Sequence, residues 1–277
     1  MNVLITGGSG LIGSAFIRSH PEYHFLCLTH QHTDFPKNCT PIPSLKHIHA
    51  STHIDVIINL AGAPIDQRWT KKNKRMIEQS RLNTTQQLIQ LLQHLDHRPS
   101  HMISASAIGY YLASDTFSHQ LCQQWESMAL LAKDLNIPTS IIRLGVVLSP
   151  NHGLLKKLKL PYLMGLGGSL GPGTQIMNWI HIQDVLQSID HLISTNSAGI
   201  FDLVAPEAIS QTHFAQAYAE SLNRPAFLKI PSWYIQCLFG QMGKELLLSS
   251  TSQKPTALLK IGFRFSYPHL KTALTIT

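Results

Sequence analysis

The sequence is short of long apolar stretches, of clustered cysteines and of acidic residues, and each shortage excludes a class of protein. No apolar run approaches the roughly 20 residues that a membrane-spanning helix needs. The 277-residue chain also opens without the basic segment and following apolar segment of a secretory signal. These absences predict a cytoplasmic protein with no membrane partner.

The four cysteines are scattered, and no two of them form a Cys-x-x-Cys pair. Scattered cysteines are typical of reduced thiols and not of a disulfide framework, so we expect Cys27, Cys39, Cys122 and Cys237 to be free. The histidine-rich stretch at residues 30–53 fits no zinc-site spacing, and we expect no metal. A Gly-x-Ser-x-Gly elbow is also missing, which gives no support to a serine hydrolase.

Basic residues outnumber acidic ones, with 22 Lys and Arg against 15 Asp and Glu and a formal net charge of +7. Nucleic acid is one partner that such a charge attracts. The basic residues are spread along the chain, however, apart from residues 68–75, and a short charge run is usually a solvated helix face. We therefore expect no nucleic-acid partner, and we expect the substrate to be a small anionic molecule.

Apolar runs of strand length alternate with segments of helical period through the first half of the chain. This alternation predicts an α/β fold, a doubly wound parallel sheet with helices on both faces. The predicted strands are residues 3–5, 25–28, 55–60, 101–104 and 140–147, and the predicted helices are residues 11–18, 71–93 and 121–135.

The pattern changes after about residue 150. A glycine-rich loop at residues 165–173 precedes predicted strands at 179–182 and 200–204 and helices at 184–193 and 210–222, the last with a serine cap. We assign residues 1–148 and 176–204 to the nucleotide-binding domain, and residues 149–175 and 205–277 to a smaller α/β substrate-binding subdomain. Residues 30–53 are the least regular stretch.

Three glycines, Gly7, Gly10 and Gly13, lie three residues apart between the first predicted strand and the first helix. Glycines allow a tight turn and close approach of the backbone to a pyrophosphate, which then faces the free N–H groups of the helix N-terminus. This context predicts a dinucleotide site, made by Gly7, Gly8, Ser9, Gly10, Leu11, Ile12 and Gly13.

Two further strand ends are predicted to border the dinucleotide. Leu60, Ala61 and Gly62 follow the strand at 55–60, at the edge of the sheet where ligands bind. The strand at 25–28 is followed by Thr29 and His30, where an NAD-binding protein usually has Asp or Glu for the ribose diol. Without a carboxylate to repel a 2′-phosphate, we expect NADP in preference to NAD.

Several segments together resemble one known family. They are NLAGAPIDQRWTKKNKRMIEQSRLNTT, ISASAIGYY, CQQWE, RLGVVLSP, GLGGSLGPGTQIMNWIHIQDV and GKELLLSS with PTALLKIGFRFSYP. The chain is similar to the extended short-chain dehydrogenase/reductase superfamily, with its Rossmann-type sheet. Within it, the chain resembles the epimerase subgroup called nucleoside-diphosphate-sugar epimerase-like, related to short-chain dehydrogenase family 39U member 1.

The resemblance implies a site for a carbonyl or hydroxyl substrate but also shows a departure. In the superfamily a Tyr-x-x-x-Lys pair on one helix face acts with an upstream serine. Here Ser106 matches the serine, while Cys122 and Glu126 occupy the Tyr and Lys positions. The resemblance also implies a monomer or homodimer. It places Ser104 and Arg143 at the cofactor, although Arg143 could equally be a structural ion-pair partner.

Cys122 and Glu126 cannot simply inherit the two roles. A thiol is too short to reach where a tyrosine hydroxyl would act, and a carboxylate beside it raises the thiol pKa. Tyr110 or Tyr111, with Ser106, could border the nicotinamide instead. Two hypotheses remain: an NADP-dependent oxidoreductase or epimerase-like enzyme, and a dinucleotide-binding sensor without turnover.

Overall fold

The computed structural model describes residues 1–29, 35–150 and 152–275. The helices and strands are numbered separately along the chain. The strands are β1 (Asn2–Thr6), β2 (His24–Leu28), β3 (Cys39–Ile42), β4 (Val56–Asn59), β5 (His101–Ala107), β6 (Thr139–Leu144), β7 (Val146–Ser149), β8 (Gly168–Leu170), β9 (Ile176–Met177), β10 (Trp179–His181), β11 (Gly199–Leu203), β12 (Ile209–Ser210) and β13 (Leu228–Ile230).

The longer helices connect these strands, and the shorter ones follow in the C-terminal part of the chain. They are α1 (Leu11–Ser19), α2 (Lys71–His94), α3 (Phe117–Leu130), α4 (Gly153–Leu163), α5 (Ile182–Ser194), α6 (Gln211–Ser221), α7 (Ser232–Phe239), α8 (Thr256–Lys260) and α9 (Leu270–Leu274). Within the described ranges, no helix is both long enough and apolar enough to cross a membrane.

The central sheet has the order β11-β6-β5-β4-β1-β2-β3, and every neighbouring pair is parallel. The chain winds outward from β1 through β2 and β3, then restarts beside β1 at β4 and winds the other way. The order therefore reverses between β1 and β4, where a crevice opens at the carboxyl ends of the strands. The predicted doubly wound parallel sheet is confirmed.

Side chains of each strand alternate between two apolar layers. On β1, Val3 and Ile5 pack in the layer that contains α1 and α5, while Leu4 packs in the layer that contains Leu88 of α2 and Ala129 of α3. Strands covered on both faces are apolar at nearly every position. This is why the sequence shows short continuous apolar runs and not a polar alternation.

For two of the predicted elements, the difference in bounds has a clear local reason. The strand expected at 140–147 is two strands, β6 and β7, because the chain breaks at Gly145, where a Cβ would lie 2.7 Å from the Asn178 carbonyl oxygen. The helix expected from residue 121 begins at Phe117, because Thr116 caps it by accepting a hydrogen bond from the His119 N–H (3.2 Å). His119 therefore lies in the first turn of α3 and not before it.

The expectation of four free cysteines is wrong for two of them. Cys27 on β2 and Cys39 on β3 form a disulfide, with 6.3 Å between their Cα atoms, while Cys122 and Cys237 are free. The pair formed because β3 lies within the stretch expected to be irregular and runs parallel beside β2. Cysteines 12 residues apart meet there without any signature spacing, so the cysteine argument for a reducing compartment no longer holds.

Three buried acceptors attach the C-terminal part of the chain to the sheet domain. Asp184 of α5 accepts hydrogen bonds from the N–H groups of Ser266 (2.7 Å) and Tyr267 (3.1 Å), and Asn178 accepts one from the Gln253 N–H (3.0 Å). The third acceptor is Glu245, in the helical turn Gly243–Leu247, and its contacts are described with the candidate site below. The N-cap of α5 is His181, which leaves the Asp184 carboxylate for this attachment.

Candidate functional site

The glycine loop closes tightly over the start of α1. Gly7 has φ +72°, and a Cβ there would lie 2.5 Å from the carbonyl oxygen of Leu60, so the loops after β1 and β4 meet at the crevice. A Cβ on Gly13 would lie 2.4 Å from the Gly7 carbonyl oxygen and 2.8 Å from Gly8 Cα. Any side chain at position 7 or 13 would push the loop open.

The N-terminus of α1 is left without a side-chain cap. Gly10 is the N-cap, its own N–H is bonded to the Gly7 carbonyl (3.0 Å), and no acidic side chain lies in the first turn. Ser9 and Gly10 are exposed, while Leu11 and Ile12 are half-buried. The first-turn N–H groups and the positive end of the helix dipole are therefore available to an anion. A pyrophosphate fits this glycine-lined cradle.

The turn after β4 is fixed from below by buried polar side chains. Asn59 accepts a hydrogen bond from the Thr6 hydroxyl (2.7 Å) and donates to the hydroxyls of Thr85 (2.9 Å) and Ser104 (3.1 Å). The Thr6 hydroxyl in turn accepts from the Ala61 N–H (3.2 Å). Ser104 is fully buried and lies beneath the turn of residues 60–62, so its hydroxyl helps to hold that turn in place.

The end of β2 offers Thr29, whose N–H donates to the Ile42 carbonyl of β3 (3.0 Å). His30, the other residue predicted there, lies outside the described residues. The preference for NADP over NAD drawn from these two positions stays a prediction.

A buried ion pair lies at the other end of the crevice. Arg143 of β6 donates from Nε to Glu126 Oε1 (2.8 Å) and from Nη2 to Glu126 Oε2 (2.7 Å), and the Ser106 hydroxyl also donates to Oε1 (2.6 Å). The Arg143 and Glu126 side chains are only 6% and 5% exposed. Burial alone would lower the Arg143 pKa, but the bidentate contact and the charge of Glu126 outweigh it and raise that pKa.

Both predicted tyrosines contact the same guanidinium. Arg143 Cζ lies 3.6 Å from the centroid of the Tyr110 ring and 4.8 Å from that of Tyr111. The Tyr111 hydroxyl accepts a hydrogen bond from Arg143 Nη1 (2.8 Å) and donates to the Asp202 carboxylate (2.9 Å). Burial raises the pKa of Tyr111, and burial also raises the pKa of Asp202.

Cys122 lies under the short 3-10 turn that carries the tyrosines. The thiol is buried, and a Cβ on Gly109 would lie 3.8 Å from its sulfur. Burial raises the thiol pKa, and the charge of Glu126 adds to this. The thiol is thus held protonated and covered, as expected for a residue that has not inherited the tyrosine's role.

The structure brings together Ser106, Tyr110, Tyr111, Cys122 and Glu126, the five predicted catalytic residues, around Arg143. The ion-pair role left open for Arg143 is present, while its predicted contact with a cofactor stays a prediction. Asp202 was missed by sequence reasoning, because it comes from β11, 91 residues from the tyrosine that it contacts. The one sequence feature that could have pointed to Asp202 is its position near the carboxyl end of a predicted strand.

Glu245 was missed as well, and it is the third acceptor from the C-terminal part of the chain. Its carboxylate accepts hydrogen bonds from the N–H groups of Phe117 (3.2 Å) and Ser118 (2.9 Å) and from the Ser118 hydroxyl (2.7 Å). It therefore satisfies the first turn of α3, the helix that carries Cys122 and Glu126. Among the described residues, no group of three or more His, Cys, Asp or Glu side chains could hold a metal ion.

Comparison with known sequences gives a family. Residues 3–203 match the family model described as the NAD dependent epimerase/dehydratase family, and residues 230–276 match a domain of unknown function, DUF1731. The chain is 36% identical over 296 residues to the epimerase family protein SSP1921 of Staphylococcus saprophyticus, covering 98% of this chain and 97% of that protein. It is 34% identical over 292 residues to SERP0438 of Staphylococcus epidermidis, with the same coverage.

Comparison with solved structures agrees. The human epimerase family protein SDR39U1 (isoform 2), solved with NADPH, superposes with a TM-score of 0.92 at 28% identity, covering 100% of this chain and 98% of that one. MoeE5, solved with UDP-glucose and NAD, gives a TM-score of 0.76 at 17% identity over 99% of this chain and 96% of that one. The second likeness concerns the fold alone.

Proposed function

The chain belongs to the NAD-dependent epimerase/dehydratase family, and from that premise we propose that it binds NADP(H) in the crevice between β1 and β4. We propose further that it is an oxidoreductase or epimerase-like enzyme acting on a carbonyl or hydroxyl group of a small anionic molecule. The observation that carries the proposal is the glycine cradle, in which Gly7 and Gly13 leave no room for a Cβ and face an uncapped helix N-terminus.

The choice of NADP(H) has two supports. The human relative with a similar structure over its whole length was solved with NADPH. The position directly after β2, where NAD-binding proteins commonly have a carboxylate for the ribose diol, is Thr29. NAD accompanies relatives of the same fold at lower identity, so a direct comparison of the two dinucleotides is the test.

The nicotinamide, when bound, would supply or accept the hydride, and the chain has to donate a proton to a carbonyl that is reduced or accept one from a hydroxyl that is oxidised. The Tyr111 hydroxyl is our first candidate, because Arg143 and Asp202 fix its position. The Tyr110 hydroxyl is the second candidate, since it makes no hydrogen bond to a described residue. Ser106, bonded to Glu126, would border the same space.

A second function, a sensor that binds NADP(H) without turnover, is favoured by one specific observation. The two residues at the Tyr and Lys positions are both engaged elsewhere: the Cys122 thiol is buried and protonated, and Glu126 is locked onto Arg143. In this case the buried cluster would report cofactor occupancy through the position of α3, and the tyrosines would take no part in a proton transfer.

The experiment measures binding first and turnover second. Calorimetric titration with NADPH and NADH is expected to give the lower dissociation constant for NADPH; a tighter NADH complex would reverse the preference. Carbonyl compounds and nucleotide sugars are then screened for NADPH oxidation and for isomer exchange. Tyr111→Phe, Tyr110→Phe and Ser106→Ala identify the proton donor in any turnover found, and three variants with unchanged rates would remove all three residues from the mechanism. Binding without turnover across the screen favours the sensor.

The cellular setting is part of the same proposal. We propose a cytoplasmic protein that works as a monomer or homodimer, with neither nucleic acid nor a membrane as its partner. Sedimentation equilibrium of the purified chain and fractionation of the native cells test these statements.

A further inference from the structure

Arg81 lies on α2 at the level of the crevice. One helical turn further along α2, the Thr85 hydroxyl accepts the hydrogen bond from Asn59 at the end of β4 (2.9 Å). α2 begins beyond the carboxyl edge of the sheet and returns along it, so Arg81 is about 6 Å further out than Thr85, beside the turn that follows β4. A Cβ on Gly62 of that turn would lie 2.7 Å from Arg81 Cζ, so glycine leaves the room that the guanidinium occupies.

The guanidinium is half-buried but lacks a counter-ion. Arg81 Nη1 donates to the carbonyl oxygens of Ala63 (3.2 Å) and Ile77 (3.0 Å). Across the described ranges no carboxylate lies within ion-pair distance of it, and its Nε and Nη2 have no acceptor. Burial lowers its pKa to about 10. A cation held in this way costs stability unless something pairs with it, whereas Arg143 has Glu126.

Arg81 also faces the part of α3 from which the superfamily's lysine is missing. Its Cζ lies 5.2 Å from the centroid of the Trp125 ring. Cys122 and Glu126 are the positions of the missing Tyr and Lys, and Trp125 lies between them. The Arg81 guanidinium of α2 therefore lies beside the part of α3 where the superfamily's lysine is replaced by Glu126.

We propose that Arg81 is a cofactor-binding residue that takes the place of the missing lysine, its free N–H groups donating to ribose and phosphate oxygens on the nicotinamide half of the dinucleotide. This inference rests on the proposed cofactor. The nicotinamide half is indicated because Arg81 lies on the β4 and α3 side of the crevice, whereas the adenosine half lies toward the end of β2 in such sheets. Oxygen atoms of that half would supply the acceptors that the guanidinium lacks.

The test separates the two halves of the cofactor by calorimetry. Wild type, Arg81→Met and Arg81→Lys are titrated with NADPH and with its adenosine half, 2′,5′-ADP. If wild type prefers NADH, that ligand and ADP replace them. Arg81→Met is expected to weaken dinucleotide binding at least about tenfold, the effect of losing one hydrogen bond from a charged group, and to leave binding of the adenosine half unchanged. Arg81→Lys is expected to recover part of the loss.

Two further variants keep the result interpretable. Arg75→Met makes the same change of charge at an exposed position of α2 and is expected to bind both ligands as wild type does. Gly62→Ala displaces the guanidinium without changing the charge and is expected to weaken the dinucleotide selectively, with folding checked by thermal unfolding.

Three outcomes are informative: two of them would overturn the assignment of Arg81, and the third would overturn the proposed cofactor. Equal dinucleotide affinity in wild type, Arg81→Met and Gly62→Ala overturns the assignment of Arg81 while leaving the proposed cofactor intact. An equal loss for dinucleotide and adenosine half in folded Arg81→Met also overturns it, because the residue would then act on the whole crevice. No binding of either dinucleotide by wild type overturns the proposed function itself.

Discussion

The two ends of the crevice are built in opposite ways. At the end beneath β1, the glycine loop is made of backbone, and its shape depends on side chains being absent at positions such as Gly7 and Gly13. At the end beneath β5 and β6, the space is filled by charged and aromatic side chains held by one another, with Arg143 bonded to Glu126 and Tyr111.

This difference explains why the glycine loop can be recognised from sequence spacing alone, whereas the Arg143 cluster cannot. A backbone cradle needs only small residues at fixed spacing along one strand, turn and helix, so its chemistry follows from the spacing. The Arg143 cluster draws its members from β5, α3, β6 and β11, and a change at one member alters the others. In this chain the first end is a glycine turn against a helix N-terminus, while the second end is held together by the buried Arg143–Glu126 ion pair.

The largest effect is expected from breaking the buried ion pair. Glu126→Ala leaves Arg143 buried without its counter-ion, and we expect a loss of about 3–5 kcal/mol in the free energy of unfolding. Urea denaturation at neutral pH measures it. The exposed pair of Lys157 and Asp66 provides the control, because Lys157→Ala should cost less than about 1 kcal/mol. Equal costs for both variants would mean that the cluster end is not a rigid side-chain assembly.

At the loop end, the substitution Gly13→Ala is expected to weaken the binding of NADPH. Gly13→Ala places a Cβ against the backbone of Gly7 and Gly8, and overpacking of about 1–3 kcal/mol would weaken NADPH roughly 10- to 100-fold. Gly10→Ala is the graded control, since its Cβ would meet the Gly7 carbonyl oxygen only at 3.2 Å. Calorimetry that finds the larger loss in Gly10→Ala would contradict the packing account of the loop.

A smaller effect is expected where the C-terminal part of the chain supports the cluster end. Glu245→Gln weakens the acceptor for the first turn of α3, and we expect a loss of about 1 kcal/mol, the usual worth of a helix cap. Chemical denaturation measures the loss. Binding of 2′,5′-ADP, which tests the loop end, should stay unchanged; a parallel loss of that affinity would show that the two ends are not independent.

The smallest effect concerns Asp202. Its pKa is raised by burial, so the folded state disfavours the charged form, and this cost appears as the pH rises above the ordinary aspartate value of about 3.9. Asp202→Asn removes the cost and can still accept from the Tyr111 hydroxyl. We expect the difference in unfolding temperature, variant minus wild type, to increase as the pH rises from 4 to 7. A difference that increases as the pH falls would contradict this prediction.

The inner strands of the sheet could be predicted from the sequence because they are covered on both faces. Burial of this kind makes residues such as Ile57 and Ile58 apolar in succession, and that pattern is visible without contacts. β3 was missed because it is an edge strand of four residues with an exposed threonine and proline at its centre. The disulfide was missed for the same reason, since Cys39 belongs to that strand.

The candidate site divides in the same way. The glycine turn between β1 and α1 could be located from the sequence, because local spacing carries its geometry, while its contact with a cofactor stays a prediction. At the cluster end, the motif positions Ser106, Cys122 and Glu126 were identified, but Asp202 and Glu245 were not. Asp202 lies 91 residues from its partner Tyr111, and Glu245 lies 127 residues from its partner Ser118, so no pattern along the chain relates them. Arg81 was not singled out from the sequence, because its lack of a counter-ion among the described residues can be seen only in the fold.

The most direct test of the central claim is a crystal structure of the chain grown with NADPH. The account predicts a pyrophosphate within about 3 Å of N–H groups in the first turn of α1, with the nicotinamide toward Tyr110 and Tyr111. A dinucleotide bound away from the β1–β4 crevice, or a crevice free of it at saturating NADPH, would contradict the account.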